Sequence, residues 1–582
     1  MEKSEHSSHF DVIIVGAGWS GLLACKYCLS EGLRTLVLES RDSIGGIWAY
    51  SNDQTLGGVM KSTETTSSRC ITEISDFPMP ITYPDFPSHQ QILAYLKLYC
   101  ANFHLEEHIR LDCNVIKVKK IGTIWEITCE DGSAYLANSV VVCSGVHRYP
   151  NDVSRHQRFS QYTGRILHSA AIKEISADYA GKTVIIWGGG ESASDIALEA
   201  SRVAVRVYWC IPNGQWFAPK VVGGWPPFPS SRRKVADHIS SRLRLILSPT
   251  HRYSPFISQY FEYTFGVNGH GQEAWKTEAP YSRSFLNKSR NVLSCLKSGH
   301  VVPKRDLHHC EGDTVFFTDG SYAKAEFIIT CSGYRASFPF FEEPTILAAD
   351  PRTWYKYIFY NDDPTLALVG FARPVFGSIP GISELQSRYI SLVLAGKRYL
   401  PPPNQRARII DKDVAFWNHH FRYTSLRLGG LVDHFRYCDE LATLIGCRPR
   451  LWKLLFSSPR KWWKAISSPW NGCQFWLNDE SQHERVFQTL DSYRDNQMSE
   501  VYVFLLLAPV LPLIGLYSYV RILLKEHLFY KNTRTAHLRN TDWRSARQAS
   551  NMVRPAEANP ACGRVAGTRP IEPVVWTDSA SP

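Results

Sequence analysis

A chain of 582 residues is too long for one compact domain, and at about 150 residues per domain it predicts three or four. Its net charge of +11 would suit nucleic acid, but the basic residues scatter along the chain and thicken only beyond Arg448, which excludes a nucleic-acid-binding face and leaves dinucleotide and membrane phosphates as sufficient anionic partners. Fifteen cysteines at irregular spacing, behind the polar and acidic start Met1-Glu2-Lys3-Ser4-Glu5, exclude a secreted disulfide scaffold and predict reduced thiols in a cytosolic compartment.

Residues 1–9 read as a tail. The first element is the apolar run Asp11-Val12-Ile13-Ile14-Val15, followed by Gly16-Ala17-Gly18-Trp19-Ser20-Gly21 and a helical pattern from Leu22 to Leu29 that Gly32 ends. Strand, glycine turn and helix in that order set bare backbone N–H groups against a pyrophosphate. A second strand, Thr35 to Leu38, delivers Glu39 at the spacing where a carboxylate takes ribose hydroxyls, which suits an unphosphorylated adenosine such as that of FAD or NAD. Cys25-Lys26-Tyr27-Cys28 has redox-disulfide spacing but falls inside the helix, where positions three apart merely share a face. Further on, Tyr162-Thr163-Gly164-Arg165-Ile166-Leu167-His168 precedes a second strand run, Thr183 to Trp187, and a second glycine loop, Gly188-Gly189-Gly190-Glu191-Ser192-Ala193, which opens a helix carrying Ser194 and Asp195. The Asp195 carboxylate reads either as part of a nucleotide site or as a first-turn acid favoured by the helix dipole. These elements predict an α/β fold with two Rossmann-like dinucleotide-binding domains, the second (174–324) inserted into the first (10–173 and 325–440).

Beyond them, 441–500 interleaves Trp452, Trp462, Trp463, Trp470 and Trp476 with Arg450, Lys453, Arg460, Lys461 and Lys464, which suits either a membrane interface or a peripheral subdomain with tryptophan in its core. The hydrophobic segment 501–524 begins with Val501 to Val520, uncharged over a bilayer-spanning length. Pro509 and Pro512 interrupt it, so a re-entrant or in-plane hairpin competes with a straight span, and a buried helix of a soluble protein stays open. Arg521, Lys525, Lys531, Arg534 and Arg539 favour a cytoplasmic C-terminal side; with the catalytic part also cytoplasmic, a monotopic anchor satisfies both. Residues 525–582 are basic and then, from Asn540, polar and Pro/Ala-rich, as in a disordered tail.

Glu39-Ser40-Arg41-Asp42-Ser43-Ile44-Gly45-Gly46-Ile47-Trp48, then Ser75-Asp76-Phe77-Pro78-Met79-Pro80, Phe86-Pro87-Ser88-His89, Cys143-Ser144-Gly145, Cys331-Ser332-Gly333-Tyr334 and Glu384-Leu385-Gln386-Ser387-Arg388 resemble the flavin-containing monooxygenases in order and spacing, from Asp11 to Pro401. Tyr162-x-Gly164-x-x-x-His168 matches that family's signature, with Tyr for the usual Phe. The resemblance implies an FAD domain split by an NADPH domain, and a membrane-associated enzyme, at the endoplasmic reticulum with its catalytic domains on the cytoplasmic side. It implies hydride transfer from NADPH to FAD, then O2 capture as a C4a-(hydro)peroxyflavin that oxygenates nitrogen or sulfur in a lipophilic small molecule, such as a specialised metabolite. Baeyer–Villiger oxygenation of a ketone, and an NAD(P)H oxidase or reductase without oxygen insertion, are the alternatives. No metal is implied, and the sequence leaves oligomeric state open.

By the same resemblance Gly16, Ala17, Gly18, Trp19, Ser20 and Gly21 cradle the FAD pyrophosphate, Glu39 takes its ribose, and Ile47 and Trp48 lie along it. Gly188, Gly190, Ser192, Ala193, Ser194 and Asp195 form the coenzyme loop and helix start. Thr65, Thr66 and Ser67 lie by the flavin, with Thr66 as the catalytic candidate beside the oxygen adduct. Glu384, Gln386 and Arg388 either address the isoalloxazine edge or form a solvent-facing helix with an i, i+4 ion pair; His168 reads as a linker residue, not a base. Three departures stand out. Thr66 replaces a usual Asn, and a hydroxyl lacks the amide's reach. Pro212 stands where an arginine often meets the NADPH 2'-phosphate, so Arg206 or Lys220 would have to substitute, or NADH would serve. Ile172 replaces an aromatic residue, which weakens the Baeyer–Villiger alternative.

Overall fold

The computed structural model describes residues 9–493 apart from 219, 223–233, 236–240, 243–267, 280–283, 289–295, 298, 344–345, 347–349, 376, 423 and 425–428. The expected membrane segment 501–524, the tail 525–582 and the N-terminal residues 1–8 lie outside the described residues.

The first sheet is built from β1 (His9–Val15), β2 (Thr35–Leu38), β3 (Ile109–Arg110), β4 (Val115–Ile121), β5 (Ile124–Cys129) and β6 (Ala134–Val142), in the order β3-β2-β1-β6-β5-β4. Val12, Ile13, Ile14, Val140, Val141 and Val142 expose no surface, as parallel strands covered on both faces require, and this is why they read as unbroken apolar runs. Helix α1 (Trp19–Ser30) connects β1 to β2. Helix α2 (His89–Asn102) starts with a full capping box: Ser88 accepts from Gln91 N–H while the Gln91 side chain accepts from Ser88 N–H.

The chain leaves this sheet through β7 (Tyr149–Pro150) and builds a second one from β8 (Arg165–His168), β9 (Thr183–Trp187), β10 (Arg206–Cys210), β11 (Val301–Lys304) and β12 (Phe327–Thr330). All are parallel, in the order β11-β10-β9-β12-β8, with α3 (Glu191–Val203) linking β9 to β10. β13 (Tyr334–Arg335) returns antiparallel to β7, and β14 (Leu366–Leu368) rejoins the first sheet with Leu368 opposite Val142. Helix α4 (Ile379–Leu394) packs on α1, where the Ser20 and Ser383 hydroxyls meet at 3.0 Å. The nested two-sheet architecture matches expectation. β8 and β12, which lie outside the expected bounds 174–324, both pair within the second sheet. Local patterning does not reveal which sheet a short strand joins.

Helix α5 (His434–Ile445) packs into the main core, whereas α6 (Leu451–Ser457), α7 (Pro459–Ser467) and α8 (His483–Asp491) belong to the C-terminal extension, in which Leu454, Ala465, Cys473, Val486 and Leu490 make a small core. Polar bonds tie it to the first domain. Asn471 Nδ2 donates to Cys70 O at 2.7 Å and to Glu73 Oε1 at 2.6 Å, and Trp476 Nε1 donates to Ser75 Oγ at 2.7 Å. The core expectation holds for one tryptophan. Trp470 is core, edge-on to His434 and Phe435, whereas Trp452, Phe456 and Trp463 stay exposed at 62%, 82% and 36%. Among the described residues, no helix is long and apolar enough to cross a membrane.

The cysteines need one correction. Cys113 and Cys129, read as reduced thiols, are joined as a disulfide across the β4–β5 hairpin. Cys25 and Cys28 are buried free thiols on α1, raised above the ordinary range by desolvation, Cys28 to about 12, which suits packing and not redox chemistry.

Candidate dinucleotide and oxygenation site

The helices that follow the two glycine loops differ from α2 at their starts. Gly18 before α1 and Gly190 before α3 are N-caps with no side-chain acceptor, so the first-turn N–H groups are left for a ligand. The loops also repeat one another in space. Gly16 has φ +105°, and a Cβ there would sit 2.7 Å from Cys143 O; Gly188 has φ +132°, and its Cβ would sit 2.5 Å from Cys331 O. At Gly21 a Cβ would collide with Gly16 O, while its counterpart Ala193, fully buried, has room for a methyl group. The register puts both loops at the carboxyl edges of their sheets: Val15 pairs with Val142, and Trp187 with Thr330.

In the first loop Glu39, 6% exposed, accepts Ala17 N–H at 2.6 Å through Oε2 and Arg41 N–H at 3.0 Å through Oε1. Its remaining lone pairs fit ribose hydroxyls. Sequence reasoning missed Arg41, whose guanidinium binds the Gly46, Ala49 and Gly57 carbonyls and so fixes the segment bearing Ile47 and Trp48. The motif run containing Arg41 was visible, but nothing in its spacing shows where a long side chain ends.

The dinucleotide fit is further tested by buried polar atoms that lack protein partners. Trp19 Nε1, Thr65 Oγ1 and Ser144 Oγ are shielded from water and, among the described residues, have no hydrogen-bond partner, as donors facing a polar cofactor would. Ser67 Oγ is taken by Thr72 Oγ1 at 2.8 Å, whereas the half-buried Thr66 hydroxyl has no hydrogen-bond partner among the described residues.

In the second loop Ser194 turns inward, its Oγ accepting Asn287 Nδ2 at 2.6 Å, and the same amide also holds the Gly189 and Gly190 carbonyls at 2.9 Å. Asn287 was unread in the sequence because it acts from nearly a hundred residues away. Asp195 lies one turn beyond Glu191; burial, with Glu191's charge adding, raises its carboxyl to about 7. Arg206 stands at the opposite end of β10 from Pro212 and donates to Gly299 O at 3.0 Å, while Lys220 lies 3.7 Å from Glu64.

The two carboxyl edges meet around Tyr334, which packs edge-on to His147 from the first sheet and His168 from the second, at 5.3 and 5.5 Å. Burial, with Arg373's charge adding, pushes His147 down to about 3. His168 is lowered chiefly by burial; its Nδ1 accepts Ala170 N–H and its Nε2 faces Gly333 O at 3.1 Å, a structural role. Tyr162, the signature aromatic, packs over Gly164 and donates to Ala325 O. Arg373 follows β14 and lies over Phe285 at 5.7 Å; among the described residues it has no carboxylate partner.

Glu384 and Gln386 are not on a solvent-facing helix. Glu384, 3% exposed, accepts Tyr27 OH at 2.8 Å and Ser75 N–H at 3.0 Å, and burial raises its carboxyl. Gln386 accepts Gly370 N–H and donates to Tyr437 OH, both at 2.9 Å. Arg388 stacks on Trp476 at 4.4 Å and does not form an exposed pair. These polar ends are occupied by protein, so they position the Gly370 turn and the 75–76 segment that border α1.

A family model described as Flavin-binding monooxygenase-like matches residues 10–497. The 4-hydroxybenzoate brominase (decarboxylating) of Marinomonas mediterranea is 30% identical over 478 residues, covering 80% of this chain and 89% of that protein. Dimethylaniline monooxygenase (N-oxide-forming) 2 of Oryctolagus cuniculus is 29% identical over 495 residues, covering 81% and 89%. In fold, the S-allyl-L-cysteine S-oxygenase of Allium sativum superposes with a TM-score of 0.55 at 21% identity, over 83% of this chain and 99% of that one. The NADP+-bound cyclohexanone monooxygenase of Rhodococcus sp. Phi1 gives 0.54 at 15%, over 75% and 98%. The chain belongs to the flavin-binding monooxygenase-like family and is an FAD- and NADPH-dependent monooxygenase.

Proposed function

We propose that this monooxygenase oxygenates a nitrogen or sulfur centre of a small lipophilic molecule. Bound FAD, reduced by NADPH, supplies the oxygen-activating chemistry. The protein holds both dinucleotides through its glycine loops, offers the Thr65 and Thr66 hydroxyls as donors beside the reacting oxygen, and keeps water out with Tyr334 and its neighbours. What supports this reading is the likeness, over 81% of the chain, to a monooxygenase named for forming N-oxides. An amine or thioether attacks with its own lone pair and needs no base, whereas a ketone requires the deprotonated oxidant. The test is anaerobic reduction by NADPH, followed by oxygen together with a tertiary amine or thioether. One oxide formed per NADPH supports the reading; hydrogen peroxide alone, in equal yield with and without substrate, sinks it and favours an oxidase.

A second reading rests on Arg373. A half-buried guanidinium with no carboxylate partner among the described residues favours an acidic substrate, and the brominase relative is named for a hydroxybenzoate. Coupled turnover of aromatic acids, abolished by Arg373→Leu, would favour it over neutral amines and thioethers. Membrane association at the endoplasmic reticulum, with the catalytic domains cytoplasmic, belongs to the same proposal; Trp452, Phe456 and Trp463 exposed beside Arg450, Lys453, Arg460 and Lys461 support it.

A further inference from the structure

In a strand–turn–helix–strand nucleotide unit, the end of the second strand lies beside the adenosine ribose, and the residues there discriminate a 2'-hydroxyl from a 2'-phosphate. In the second unit this end is Cys210-Ile211-Pro212-Asn213-Gly214, which carries neither a carboxylate to claim a hydroxyl nor a cation to claim a phosphate. β11, the next strand outward, ends at the same level. Lys304 is the register partner of Cys210, and Lys304 O accepts Ile211 N–H at 3.2 Å.

The following residue, Arg305, is exposed, and its Nη1 donates to Lys276 O at 2.7 Å. A Cβ on Gly214 would run into that same carbonyl, so the guanidinium and the loop flank one oxygen. The neighbouring cations are engaged: Lys304 Nζ bonds Asp319 at 2.7 Å and Ser321 at 2.6 Å, and Lys276 pairs with Glu273 at 2.5 Å. Among the described residues Arg305 has no carboxylate partner, and most of its N–H donors are left for an oxyanion.

We infer that Arg305 binds the 2'-phosphate of NADPH, reaching in from the neighbouring strand where β10's own loop offers only Pro212. A guanidinium can hold a phosphate through two parallel N–H bonds, which gives direction as well as charge. The inference rests on the coenzyme assignment and not on which substrate is oxygenated.

The experiment is calorimetric titration of the full-length, FAD-loaded protein with 2',5'-ADP and with 5'-AMP, which differ only in the 2'-phosphate. The unmodified protein binds 2',5'-ADP more tightly. Arg305→Gln weakens 2',5'-ADP by about tenfold or more and leaves 5'-AMP binding and flavin content unchanged. Parallel loss of both nucleotides, a 2',5'-ADP affinity that stays within about twofold, or an unmodified protein that fails to distinguish the two overturns the inference. Because no turnover is measured, failure here is separable from failure of the oxygenation assay.

Discussion

Single side chains decide how tightly the flavin is held. Glu39 is buried and accepts two backbone N–H groups while keeping lone pairs for the ribose, so Glu39→Ala removes a charge-assisted bond and exposes unpaired donors. The expected cost is about 2 kcal/mol of FAD affinity, visible as a lower flavin-to-protein ratio after gel filtration. Thr66 predicts a different signature. Thr66→Val leaves the rate of anaerobic flavin reduction by NADPH unchanged but lowers product formed per NADPH, with peroxide making up the difference; an unchanged ratio would remove Thr66 from the oxygen site. Glu39 was legible in the sequence because its strand ends at a fixed distance from a glycine turn. Arg41, Asn287 and Arg373 were not, since their roles depend on where long side chains end after distant segments have packed.

Among the elements, the most informative contrast is between helix starts. α2 satisfies its own first turn, whereas α1 and α3 leave theirs open, and that difference could be read from Ser88 and Gln91 against two runs of glycine. The junction of the C-terminal extension was not legible, because Asn471, Tyr493 and Glu73 are separated by about four hundred residues. Its consequence is a pH dependence. Burial raises the Glu73 carboxyl from an ordinary 4.5 to about 7, outweighing the three donors that favour its charge. Between these values the folded protein keeps a proton that the unfolded chain has released. Stability therefore falls as pH rises through that window, by up to about 3 kcal/mol, and flattens above it. Glu73→Gln should make the slope shallower in denaturant titrations from pH 4.5 to 7, the remainder coming from other buried carboxyls such as Asp195. On α6 and α7, replacing Trp452, Phe456 and Trp463 together with serine should leave the unfolding midpoint nearly unchanged while reducing co-sedimentation with anionic vesicles, since exposed rings contribute little to the core.

At the scale of the whole molecule, the two nucleotide units fail separately. Gly188→Ala places a Cβ against Cys331 O at a φ that L-residues rarely adopt, so the variant should retain FAD yet lose reduction by NADPH at least a hundredfold by stopped-flow absorbance, a cost of about 3 kcal/mol. Repetition of one unit was legible; assignment of β8 and β12 to the inner sheet was not, because strand pairing is settled by tertiary packing. The antiparallel contact of Tyr149–Pro150 with Tyr334–Arg335 brings the two severed ends of the outer domain side by side. The inserted unit is therefore portable: a short peptide could bridge the gap it leaves, and its own adjacent ends could be joined into a ring. Such grafts between family members would exchange coenzyme choice while leaving the flavin-holding half unbroken.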